Sequence, residues 1–170
     1  MIEILKFSIP ALLVIVVAYV VLDKLLKADS NRRNYETKLK QQAVVTPVRL
    51  RAYERLMLVL ERTTPTTLIV SAFDPGLTAM NFQAKLLDTI REEYGHNASQ
   101  QIYVSNELWT AIRASQESLT KLVNICALQI EPETTATGLA EIILEVYSQS
   151  ENIPVEIAID LLKREVKSLF

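Results

Sequence analysis

Glu93 and His96 stand three residues apart in Glu93-Tyr94-Gly95-His96, a spacing that puts a carboxylate and an imidazole on one face of a helix. Two such pairs with two further carboxylates hold a di-iron centre. This chain has one histidine, and Gly95 is expected to end the helix between the two ligands, so only a homodimer could bring the second pair. Otherwise His96 reads as a helix C-terminal residue whose imidazolium favours the dipole. Cys126 falls in an apolar stripe and reads as a buried, inert thiol, and one cysteine makes neither an internal disulfide nor a zinc cluster. A serine nucleophile would need His96 as its base, and no G-x-S-x-G precedes it. Trp109 reads as a core or interface anchor, and the acid pairs Glu92/Glu93 and Glu131/Glu133 as solvated helix ends. The three glycines, Gly76, Gly95 and Gly138, are too scattered for a Rossmann or phosphate-cradling loop. No catalytic residue, cofactor or metal is assigned, and no enzyme activity is expected.

The polar string around His96 is the candidate interaction surface: His96, Asn97, Gln100 and Gln101, with Trp109 beyond them. Loops held by helices often carry binding residues. Asn97, Ser99, Gln100 and Gln101 can equally satisfy free backbone groups where one helix ends and another begins.

The element that would position this surface is at the other end of the chain. Phe7 to Leu22 holds 16 residues without a charge, 14 of them apolar, bracketed by Lys6 and Lys24. As a helix the 18 residues from Phe7 to Lys24 span about 27 Å, close to the hydrocarbon thickness of a bilayer. With that run set aside the remainder is about 45% apolar, ordinary for a soluble domain. A cleaved leader fits less well, because the core is long and no A-x-A site follows closely. A buried soluble helix is the remaining alternative. We expect a retained single-pass anchor over residues 1–28, a basic polar linker over 29–46 and a helical domain over 47–170.

Basic residues set the expected orientation. Lys24, Lys27, Arg32 and Arg33 flank the C-terminal side of the span, against Lys6 on the other, which predicts an N-terminus out and a cytoplasmic domain at the cell inner membrane. Residues 24–62 carry a net charge of +6 and residues 63–170 a net charge of −7. The neck would therefore attract anionic lipid headgroups while the distal part is repelled. A nucleic-acid partner is not expected, since the basic stretch lacks interleaved aromatics and its acidic neighbour opposes a phosphate backbone.

Periodicity and punctuation predict a predominantly all-α domain of five helices with at most two short strands. Ser30 to Gln42 is a linker or an exposed continuation of the membrane helix. Thr46-Pro47 reads as the start of a helix to about Arg62, with Tyr53, Leu56, Met57 and Leu60 inward. Leu68 to Phe73 fits either a strand or a helical turn begun at Pro65. Thr78 caps a helix burying Phe82, Leu86, Leu87, Ile90 and Tyr94, with Gly95 at its C′ position. Gln101 to Val104 reads as extended, and Ser105 caps a helix to about Ile130. Glu131-Pro132 stops that helix, a fourth begins near Thr137, and Pro154 opens the last. No repeat with a period of 30 to 45 residues is visible.

Three blocks, RLRAYERLMLVLER (49–62), LLDTIREEYGHNASQQIYVSNE (86–107) and Leu108-Trp109, carry a resemblance covering most of residues 1–130. They resemble an uncharacterised family of small, single-pass, membrane-anchored helical proteins from Bacteroidota-type bacteria. The resemblance implies a bacterial inner-membrane location and no activity. Together these features lead us to expect a membrane-tethered helical interaction or scaffold module, binding an unknown protein partner or a second copy of itself. The alternative is an accessory subunit of a larger inner-membrane transport, secretion or envelope complex.

Overall fold

The structure, a computed structural model, describes residues 2–150 and 153–169; within the first helix, side chains are described at 19, 21–33, 35–37 and 43–62. Among the described residues six α-helices follow one another: α1 (Ile2–Arg62), α2 (Pro65–Ala72), α3 (Ala79–His96), α4 (Asn106–Ala127), α5 (Ala136–Ser148) and α6 (Pro154–Lys167). A 3₁₀ turn, Ala98–Tyr103, joins α3 to α4. The chain divides into two compact units, Met1–Pro47 and Val48–Phe170.

In the first unit the α1 backbone is helical throughout, so residues 29–46 continue the helix rather than forming an irregular linker. Most of the expected span, residues 7–18 and 20, lies outside the described side chains, as does Lys6. Among the described residues no helix is long and apolar enough to cross a membrane. The expected start at Thr46-Pro47 is corrected, because α1 passes through it. A fresh start there would strand the first turn's amides, whereas continuing forfeits only the one bond that Pro47 cannot donate.

The second unit is built on the last four turns of α1. Tyr53, Leu56, Val59 and Leu60, at most 2% exposed, join Phe82, Leu86, Leu108, Ile112, Leu139 and Leu162 in one core. Leu68 to Phe73 resolves as α2 plus its cap: Pro65 occupies the first helical position, where its missing N–H costs least. Gln101 to Val104 is corrected from extended to mostly 3₁₀, with Val104 alone in β geometry. The third expected helix stops at Ala127, three residues early, with Leu128 as its C-cap.

A repeat with a longer period organises the centre. Asp74-Pro75, Thr78-Ala79, Phe82 and Leu86-Leu87-Asp88 recur as Glu131-Pro132, Thr135-Ala136, Leu139 and Ile143-Leu144-Glu145, a spacing of 57 (residue 131 against 74). Burial repeats with the sequence: Ala79 and Ala136, Phe82 and Leu139, Leu86 and Ile143 are all buried. The two loops meet at an antiparallel bridge between Thr78 and Thr135. Ala79 N–H donates to Thr134 O at 2.6 Å and Ala136 N–H to Leu77 O at 3.0 Å, so equivalent residues exchange bonds about a local two-fold axis. Calcium-binding helix–loop–helix pairs need 12-residue loops with acids at alternate positions. The six- and eight-residue connections here, 73–78 and 128–135, do not provide that loop.

Gly95 is also corrected. It lies inside the last turn of α3 with Asn97 as the C-cap, and a Cβ there would meet nothing within 4 Å. Gly95→Ala is therefore expected to raise stability by about 0.5–1 kcal/mol through helix propensity. Thermal unfolding checks this, and destabilisation would restore the left-handed C′ assignment.

Candidate functional site

The carboxylate of Glu165 on α6 gathers three hydrogen bonds and faces an arginine. Ser105, the N-cap of α4, donates its N–H to Glu165 Oε1 at 3.0 Å and its hydroxyl to Oε2 at 2.6 Å. Tyr53 of α1 donates its hydroxyl to Oε1 at 2.7 Å. Arg49 donates to the Tyr53 hydroxyl at 2.7 Å and to Tyr103 O at 3.2 Å, with its guanidinium 3.8 Å from Glu165. Ser105 Oγ in turn accepts Leu108 N–H at 3.1 Å. One carboxylate thus ties α1, α4 and α6 at the positive end of a helix dipole.

Burial pushes the Glu165 carboxyl upward, but the bonds from Ser105 and Tyr53, with the charge of Arg49, outweigh it and hold it below the ordinary 4.5. Tyr53 moves the other way: burial first, then the bond to Glu165 and its charge, raise the phenol against the opposing pull of Arg49. Neither group is poised to exchange protons near neutral pH. The arrangement is a clasp.

A second chain is fully internal. Thr63 Oγ1 donates to Val59 O at 2.7 Å and Ser115 Oγ to Ile112 O at 2.7 Å, which uses both hydroxyl protons. Tyr94 must then donate to Ser115 at 2.8 Å, and its phenol is raised by burial. Every buried side-chain polar atom among the described residues has a partner.

The sequence-predicted surface residues lie at the α3–α4 junction. His96 and Gln101 are exposed, Gln100 is half-buried and donates to Ser99 Oγ at 3.3 Å, and Trp109 packs against the core. Asn97 Nδ2 donates to Glu93 O at 2.9 Å, closing the end of α3. Glu93 faces Arg62 at 3.5 Å, and no group of three His, Cys, Asp or Glu able to hold a metal occurs among the described residues. Cys126 is buried and its thiol is pushed up by burial. In the neck, Lys27, Arg32 and Arg33 pair along the helix with Asp23, Glu36 and Asp29 at 2.8–3.0 Å, whereas Lys24 makes no ion pair among the described residues.

Two concavities flank the clasp. One, of about 460 Å³, is lined by Ser105, Leu108, Leu161, Arg164, Glu165 and Ser168. The other, about 470 Å³, is an apolar groove between α1 and α6 lined by Leu50, Tyr53, Glu54, Met57, Leu58, Leu162 and Val166. A smaller pocket of about 310 Å³ beside the ends of α5 and α6 is lined by Ser115, Ser118, Tyr147 and Ser150, with no charged side chain among the described residues. Sequence reading placed Tyr53 in the core and Ser105 at a cap, but missed Arg49, Glu165 and the groove. The available signal was Glu165 itself, an acid flanked by Leu162, Val166 and Leu169 on an otherwise apolar edge.

Helices packed around a doubled helix–loop–helix core, with a polar clasp at one end, define the second unit as a helical bundle. The chain belongs to a family of unknown function, DUF7935, whose profile matches residues 1–169. No curated protein and no solved structure matches it.

Removing the clasp should order the variants. Glu165→Ala is expected to cost about 2–3 kcal/mol, Glu165→Gln less, and Tyr53→Phe about 1 kcal/mol, measured by denaturant unfolding. Because Glu165 is depressed in the folded state, its contribution is present above pH 4.5 and lost as pH falls through the lowered value. Glu165→Gln should flatten that acid limb. An unchanged limb in this variant would remove Glu165 from the clasp.

Proposed function

We propose that this protein is a non-catalytic, membrane-tethered helical interaction module, anchored by the apolar Phe7–Leu22 run with its second unit in the cytoplasm. The observation that carries the reading is that α1, which contains that run, also contributes Tyr53, Leu56, Val59 and Leu60 to the core. The family match supports this too, because it spans the apolar run and the folded unit together.

The basic neck supports the inward orientation, although its charge is partly met on the helix. Exposed i,i+4 pairs contribute only about 0.3–0.5 kcal/mol each, so Lys27, Arg32 and Arg33 can exchange their acids for anionic headgroups at little cost. Function is then localisation: confinement at the membrane raises the effective concentration of whatever the second unit binds. An open, largely apolar groove lies between α1 and α6.

Fractionation and reporter fusions test the tether. The full chain should remain in the membrane pellet after alkaline carbonate. A C-terminal green fluorescent protein should fluoresce and a C-terminal alkaline phosphatase should be inactive. Release by carbonate would remove the anchor, and an active phosphatase would reverse the orientation.

A further inference from the structure

We draw no further inference here: the strongest candidate, the open apolar groove between α1 and α6, has flanks of mixed charge, with exposed Arg51 near Glu54 and exposed Glu156 and Asp160 near Lys163 and Lys167, and nothing in the structure shows what covers it.

Discussion

The Glu165 carboxylate is the constraint on which the second unit turns. It receives three hydrogen bonds, from Ser105 N–H, Ser105 Oγ and Tyr53, and those donors come from residues 60 and 112 positions away in sequence. Bonds to a charged acceptor are stronger than neutral ones, and a half-buried carboxylate without them would be a liability. The clasp therefore fixes register as well as adding stability. α6 can dock on α4 only where Glu165 meets the α4 N-terminus, and α1 only where Tyr53 reaches the same oxygen.

The doubled helix–loop–helix complements that constraint from the opposite side of the core. Its exchanged backbone bonds, Ala79 to Thr134 and Ala136 to Leu77, lock two loops that would otherwise leave amides unpaired. Alanine stands at both positions, and both side chains are at most 2% exposed. The centre is thus held by backbone symmetry and the ends by a side-chain network. Between them lies a buried hydroxyl chain, Tyr94 to Ser115, whose protons are fully assigned by the carbonyls of Val59 and Ile112.

Much of the fold was legible in the sequence, for local reasons. Thr78 and Ser105 cap helices by accepting Asn81 N–H and Leu108 N–H, as short polar side chains before an apolar period should. Proline opens α2 and α6 as expected. What failed locally was Pro47, where an apparent start signal is overridden because the helix on both sides is continuous, and Gly95, where an apparent stop lies within the last turn. The repeat is hard to read because its period, 57, is longer than that of the common helical repeats, and because Phe82 and Leu139 are alike in burial rather than in identity. Glu165 escaped for a deeper reason. Its partners are set by tertiary packing, and no spacing in the chain announces a carboxylate whose donors lie on two other helices.

What unites the clasp, the groove and the proposed tether is α1, whose last turns are taken to be an integral part of the folded unit. Hydrogen exchange of backbone amides in the full chain measures this directly. Residues 52–60 should exchange only through global unfolding, with protection equal to that of α4 and α6, and Glu165→Ala should lower all three together. Exchange of residues 52–60 by local opening, while α3 to α6 remain protected, would show that α1 is only laid against a core complete without it.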